Sequence, residues 1–220
     1  MDGRKRLQVD FYFDLVCPWC LIGKRRLESA IDLVALAYPD LDVAIRWKSL
    51  PLLPNLPAEG VPYGPFYLHR LGSAAAVAVR RRQIHEEGFA AGVSFNFEQI
   101  ERMPNTLAAH QLVALAGEAG GASLQGSLIE RLFDAYFQRG EDIGDVEWLI
   151  GIAETYGIER AIALTRMELS MRQVPLEHWL ADAKRLGLSG VPSVVSEGRV
   201  LQGALPPGQL AQALLESLAA

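Results

Sequence analysis

The only two cysteines of this chain stand three positions apart, in Cys17-Pro18-Trp19-Cys20. On a helix that spacing puts both thiols on one face, where they can exchange with disulfides or supply half of a tetrahedral metal site. Zinc asks for about four ligands. The chain offers no further cysteine, and His69, His85, His110 and His178 are scattered with no paired H-x3-5-H spacing, so thiol chemistry is the stronger reading. Cys17 stands where a helix is predicted to begin, with Pro18 at a first-turn position that suits its fixed φ and missing N–H. A thiolate there meets free amides and the positive end of the helix dipole, a setting in which cysteines ionise readily. Cys20, one turn further in, is expected to be the more buried, resolving thiol: Cys17 exchanges with a substrate disulfide and Cys20 resolves the mixed disulfide. Trp19 brings no positive charge where a histidine could, which predicts a milder oxidant than a C-P-H-C protein and an apolar surface for substrate.

The elements around the dithiol are legible from hydrophobic period. Val9, Phe11 and Phe13 alternate with Asp10, Tyr12 and Asp14, as in a strand with one buried face. After the dithiol, Gly23, Leu27, Ala30, Ile31, Val34 and Ala37 recur at helical spacing with Arg25, Glu28 and Asp32 opposite, and the helix should stop near Tyr38-Pro39-Asp40. Val43, Ile45 and Trp47 alternate with Ala44, Arg46 and Lys48 in a second strand. Strand, helix, strand in this order normally makes two parallel neighbours.

A link rich in proline follows (Pro51, Pro54, Pro57, Pro62, Pro65), too dense in ring-locked residues for a helix or a central strand. Helical spacing then predicts segments at 67–92, 105–119, 122–138, 146–156, 159–170 and 174–187. After Gly190 the pattern reverts to a hairpin, Ser193-Val194-Val195-Ser196, a Glu197-Gly198 turn and Arg199-Val200-Leu201-Gln202, with a last amphipathic helix after Pro206-Pro207. The two ends make one α/β unit interrupted by helices. In a thioredoxin-type site a cis X-Pro loop lies against the dithiol, and the backbone before the proline pairs with extended substrate. Cis bonds are about 5–6% of X-Pro bonds generally, but the position of Val191-Pro192 at the start of the returning unit predicts one there.

Composition bounds the rest. At 220 residues, half of them hydrophobic, the chain can bury roughly 70% of its unfolded surface without a structural disulfide. A net charge of −5 lacks the clustered basic excess of a nucleic-acid binder. The basic start, Met1-Asp2-Gly3-Arg4-Lys5-Arg6, leads into Leu7-Gln8-Val9-Asp10 and not into an apolar h-region, and no uncharged apolar stretch of about 18 residues occurs. The expectation is a cytoplasmic protein acting on neither nucleic acid nor membrane, in a compartment where close cysteine pairs are usually redox-active.

The sequence resembles the DsbA family, and within it the FrnE-like branch grouped with 2-hydroxychromene-2-carboxylate isomerases and kappa-class glutathione transferases. The likeness spans nearly the whole chain and is carried by Phe13-Asp14-Leu15-Val16-Cys17-Pro18-Trp19-Cys20-Leu21-Ile22-Gly23-Lys24, Pro104-Asn105-Thr106-Leu107-Ala108-Ala109-His110, Asp142-Ile143-Gly144-Asp145 and Leu188-Ser189-Gly190-Val191-Pro192. It implies an α/β thioredoxin fold with a large helical insertion: a discontinuous thioredoxin-like domain over 1–52 and 188–220, and a helical domain over 53–187 with a proline-rich entry. It implies Cys17 as nucleophile, Cys20 as resolving cysteine and Pro192 as cis-proline, with Pro18, Trp19, Val191 and Asn105 toward substrate. No metal and no bound cofactor are implied beyond the Cys17-Cys20 redox disulfide, with glutathione a possible co-substrate. Partners are a disulfide-containing protein or a small-molecule thiol, and the chain is a monomer or homodimer. The related isomerases and transferases typically carry serine at the position of Cys17, so cysteine here favours dithiol exchange over a glutathione-dependent isomerase or transferase; a non-enzymatic redox-sensing module is a third reading. Three readings stay open: Asn105 as an ordinary helix cap or a group facing the site, Asp14 as a proton acceptor or an outward residue at a strand end, and Arg80-Arg81-Arg82 as a solvated face or a partner patch.

Overall fold

The computed structural model describes residues 5–170 and 174–218; residues 1–4 of the basic N-terminal stretch lie outside the described residues. The chain opens with β1 (Lys5–Phe13), α1 (Pro18–Ala37) and β2 (Leu41–Ser49), and β1 and β2 pair in parallel over their full lengths, from Lys5 opposite Leu41 to Phe13 opposite Ser49. A two-residue β3 (Val61–Pro62) leads into α2 (Tyr63–Leu71) and α3 (Ala74–Ala90). A 3-10 turn (Phe97–Gln99) and a two-residue β4 (Arg102–Met103) follow. Then come α4 (Leu107–Arg139), α5 (Val146–Thr155), α6 (Arg160–Ser170) and α7 (Val174–Arg185), the hairpin β5 (Ser193–Ser196) and β6 (Arg199–Gln202), and α8 (Pro207–Ser217). The main sheet runs β2-β1-β5-β6, with β5 antiparallel to both neighbours. Glu197 and Gly198, both at positive φ (46° and 77°), make the tight turn that hairpin twist favours.

The first strand departs from its expected pattern. Alternation predicted one buried face, yet β1 is central and buried on both. Leu7, Val9, Phe11 and Phe13 pack with Ile22 and Leu27 of α1, Leu210 and Leu214 of α8, and Leu132 and Phe133 of α4. On the opposite face Tyr12 and Val195 meet Ala183 of α7, with Leu186 and Leu188 beside them. The polar residues between the apolar ones are therefore enclosed: Asp10 is held by Arg46, and the Tyr12 hydroxyl donates to Asp182 at 3.5 Å. At the far end of α1, Ala37 is exposed rather than packed.

Two further expectations are corrected in the middle of the chain, and a third holds. The segment predicted at 67–92 is two helices, because Gly72 takes the left-handed conformation (φ 83°) that ends α2, and the Ser73 hydroxyl caps α3 by accepting from Ala76 N at 3.1 Å. The proline-rich link is not wholly irregular: Pro62 lies in the edge ribbon β3, paired with β4, and Pro65 in the first turn of α2, where a missing N–H costs nothing. A ribbon of two residues a side is too short to leave a period in the sequence. The segments expected at 105–119 and 122–138 are the two arms of α4, bent where Gly120 and Gly121 leave helical backbone.

Candidate active site

Cys17 is the residue before α1, in extended backbone (φ −93°, ψ 108°), with Pro18 at the first helical position. The short loop from β1 is closed by the Cys17 N–H donating to the Asp14 carbonyl at 3.2 Å, and Cys20 N–H donates to the Cys17 carbonyl at 2.9 Å. Both cysteines are thiols; Cys17 is 6% exposed and Cys20 fully buried. Burial first, then a hydrogen bond with Cys17 and its charge, push the Cys20 thiol well above the usual range, so Cys20 holds its proton at rest.

Across from Cys17 the Val191–Pro192 peptide is cis, and the Cys17 sulfur lies 3.9 Å from the Val191 carbonyl oxygen. The loop is pinned from behind, by Gly203 N–H donating to the Pro192 carbonyl at 2.8 Å and by the Ser193 hydroxyl donating to the Gly190 carbonyl at 2.7 Å. It approaches α1 closely only because position 23 is glycine: a Cβ there would stand 2.9 Å from Pro192 Cγ. Its helical spacing marked Gly23 as a core-face position, and the reason for glycine is this contact.

A cavity of about 270 Å³ opens over Cys17, walled by Cys17, Pro18, Trp19, Leu52, Leu53, Phe66, Tyr67, Met103, Ile84, Arg70 and Arg80. Its far wall is α2 and the middle of α3, which the chain supplies from the helical segment between β2 and β5. Tyr67 meets the rings of Tyr63 and Phe66 edge-on, and the Arg70 guanidinium lies 6.0 Å from the Phe66 ring. Burial, then the nearby Cys17, push the Tyr67 phenol up to about 12. The arginine run is thus no single solvated face: Arg80 borders the cavity, while Arg81 bonds Glu98 at 3.2 Å and lies over Tyr63 and Phe97.

Behind the dithiol lies a buried polar group that the sequence hid. Asp14 is not at an outward strand end but fully enclosed. One of its oxygens accepts from Leu52 N–H at 2.7 Å, and the other lies 3.1 Å from His110 Nε2. His110, also fully buried, places Nδ1 at 2.9 Å from Ser49 Oγ. Nothing in the spacing of His110 set it apart from the other histidines; only its place in the 104–110 stretch pointed to it. Asn105 does not line the cavity. Its side chain accepts from Leu107 N–H at 3.0 Å and donates to the Leu56 carbonyl at 2.7 Å, tying the start of α4 to the proline-rich segment. The Asp142–Asp145 stretch packs against it: Asp142 accepts from Gly144 N–H, Asp145 caps α5, and a Cβ on Gly144 would stand 2.9 Å from Pro104. Among the described residues no three His, Cys, Asp or Glu side chains gather as metal ligands, and no helix is long and apolar enough to cross a membrane.

Comparison with known proteins gives a family match over almost the whole chain: the model of the DSBA-like thioredoxin domain matches residues 8–215. Among solved structures, a probable DsbA oxidoreductase from Streptomyces coelicolor superposes with a TM-score of 0.81 at 22% identity, covering 97% of this chain and 90% of that one. The cytosolic disulfide reductase DsbM from Pseudomonas aeruginosa, solved with GSH, gives 0.61 at 23% identity over 97% of this chain and 99% of that one. A 2-hydroxychromene-2-carboxylate isomerase gives 0.64 at 14% identity, covering 95% of each. At these identities the likeness is one of fold.

Proposed function

Because the chain belongs to the family of DSBA-like thioredoxin domains, we propose that it is a thiol-disulfide oxidoreductase working through Cys17 and Cys20. The observation that carries this reading is the asymmetry of the pair. Cys17 borders an open cavity beside the Val191 carbonyl, and Cys20 sits behind it, buried and protonated. In the reducing direction the Cys17 thiolate attacks one sulfur of a substrate disulfide, the substrate S–S bond breaks and one thiolate leaves. Cys20 then gives up its proton and attacks Cys17 Sγ; the mixed disulfide breaks, the second thiolate leaves, and the Cys17-Cys20 disulfide holds the oxidising equivalent. Both steps are reversible, so direction follows the poise of the partner.

The cavity supports a substrate class. Trp19, Phe66 and Tyr67 give an apolar seat for the reacting sulfur, the Val191 backbone beside Cys17 offers pairing to an extended chain, and Arg70 and Arg80 supply charge for a carboxylate. A small thiol or disulfide with flanking carboxylates fits, and glutathione is the co-substrate we propose. The redox cofactor is the Cys17-Cys20 disulfide itself, and we place the reaction in the cytoplasm.

The test is equilibration in glutathione buffers with alkylation and mass analysis. A reversible Cys17-Cys20 couple between about −270 and −120 mV is expected, with activity lost in Cys17→Ser and a trapped mixed disulfide in Cys20→Ser. If no intramolecular disulfide forms and Cys20→Ser retains full turnover, the glutathione-dependent transferase or isomerase class replaces this reading.

A further inference from the structure

We propose that the outward face of α3 is an interface between two copies of this chain, packed antiparallel about a two-fold axis level with Ile84. Only Ile84 and Gly88 of this helix are buried. Its inner side carries Ile84 and Arg80 to the cavity over Cys17. Its outer side turns to solvent residues that a helix normally covers. Phe89 is the most exposed large apolar side chain among the described residues, at 87%, and Val79 is 63% exposed.

Single exposed apolar residues are common on any surface. What distinguishes these is their order. At about 100° of turn per residue, Ala78, Val79, Arg82, Glu86, Phe89 and Ala90 fall within one third of the circumference of α3, opposite Ile84, and all six are exposed. They are placed symmetrically about position 84: Arg82 and Glu86 two positions to either side, Val79 and Phe89 five, Ala78 and Ala90 six. A two-fold interface sets residue i of one copy against j of the other and j against i. Antiparallel pairing of this stripe therefore sets Arg82 against Glu86, Val79 against Phe89 and Ala78 against Ala90, each couple made twice. Parallel pairing would set arginine on arginine.

The charges that this pairing joins are the ones the chain leaves unused. Elsewhere on α3, Arg80 donates to Gln83, Arg81 bonds Glu98 and Glu87 bonds Arg26. Arg82, the last of the arginine run, and Glu86 make no ion pair among the described residues. Their order along the helix, base before acid, is the weaker one for a pair four residues apart. A groove of about 660 Å³ runs along the same helix, lined in part by Leu68 of α2 and by Ala74, Val77 and Ala78 of α3. Phe89 and this groove lie on the same side of the stripe, and the two-fold axis keeps that side common to both helices. The Phe89 ring of each copy thus enters the groove of the other, and the pair buttresses the wall that α3 gives to the Cys17 cavity. One helix face and one groove a side lie at the low end of specific interfaces, so the association is concentration-dependent.

The test is analytical ultracentrifugation of the full chain from micromolar to near-millimolar concentration, with a phosphine present so that no intermolecular disulfide contributes. The weight-average mass is expected to rise toward twice that of the chain, and less so at high salt, which screens the charge pairs. Phe89→Glu should weaken association about tenfold or more, as loss of a central aromatic anchor does. Arg82→Glu alone and Glu86→Arg alone each give a face of one sign and should also weaken it about tenfold or more. Arg82→Glu combined with Glu86→Arg in one chain should restore it, and a mixture of the two single variants should form a mixed dimer. All these positions are exposed, so circular dichroism and the unfolding midpoint should match wild type; should Phe89→Glu fail to fold, the charge variants decide alone. A mass that stays at one chain at the highest concentration overturns the proposal and leaves the face to solvent or to a different partner. A dimer indifferent to these substitutions overturns it by placing the interface elsewhere. A dimer broken by the single variants but restored neither by the double variant nor by the mixture overturns the antiparallel pairing. None of these outcomes touches the oxidoreductase reading.

Discussion

On the Cys17 side of the site the wall is aromatic and its margin cationic: Trp19, Phe66 and Tyr67 line the cavity, with Arg70 and Arg80 at the rim. On the Cys20 side, one turn of α1 away, the neighbours are Asp14 and beyond it His110 and Ser49, in a network closed to solvent except at its last member. An apolar wall suits a reacting sulfur; burial, with charge nearby, keeps the second thiol protonated. The two thiols of one short motif thus divide the labour of exchange, and substitutions on either side should act on separate steps.

The largest effect expected on the Cys17 side comes from Gly23→Leu. A Cβ at position 23 already meets the Pro192 ring at 2.9 Å, so a leucine must displace the Val191–Pro192 loop that borders Cys17. Overpacking of this kind costs about 1–3 kcal/mol of stability, and a misplaced reacting group on the order of 100-fold in rate. Stopped-flow kinetics should show Cys17 attack falling far more than Cys20 resolution. Equal loss of both steps would mean that the two sides are not separable. A smaller effect is expected at the rim. Arg70→Ala with Arg80→Ala should raise KM for glutathione disulfide about tenfold and leave kcat unchanged, since exposed charge pairs contribute up to about 1 kcal/mol each. The uncharged hydroxyethyl disulfide should lose nothing; if it loses as much, the arginines act through packing on Phe66 and not through charge.

What the sequence made legible follows the physics of each signal. The strand, helix and strand around the dithiol and the returning hairpin rest on local period or local turn chemistry, the cis bond at Val191–Pro192 on the thioredoxin-type pattern and the place of its loop, and all appear where expected. The Asp14–His110–Ser49 network does not, because its members stand 96 and 61 positions apart in sequence and meet only through packing. Alternation placed Asp14 on the polar face of β1, and no local rule foretold that α7 and the start of α4 would cover that end of the strand. Arg80 and Arg81 look alike in sequence; the turn at Gly72–Ser73, which sets how α3 lies over α2, decides that one borders the cavity and the other stacks on Tyr63.

The smallest effect sharpens the comparison through pH. The Tyr67 phenol, ordinarily at 10.0, is pushed up to about 12 by burial and then by Cys17. Between those values the unfolded chain releases the phenolic proton and the folded chain keeps it, so the folded state binds more protons and stability falls as pH rises. The contribution is intact below about pH 10 and lost through about pH 12. Tyr67→Phe removes the group, and urea unfolding at pH 11 should find the variant's alkaline loss smaller than wild type by about 1 kcal/mol, with no difference from this source at pH 8. The Cys20 thiol adds a second loss of the same sign that begins lower, above its ordinary 9.0, and it exists only in the reduced protein. Oxidising the pair should therefore abolish the Cys20 component and reduce the Tyr67 component, because the Cys17 charge that helps hold the phenol protonated is gone. A Tyr67 component unchanged by oxidation would detach the aromatic wall electrostatically from the nucleophile and leave it only the role of an apolar seat.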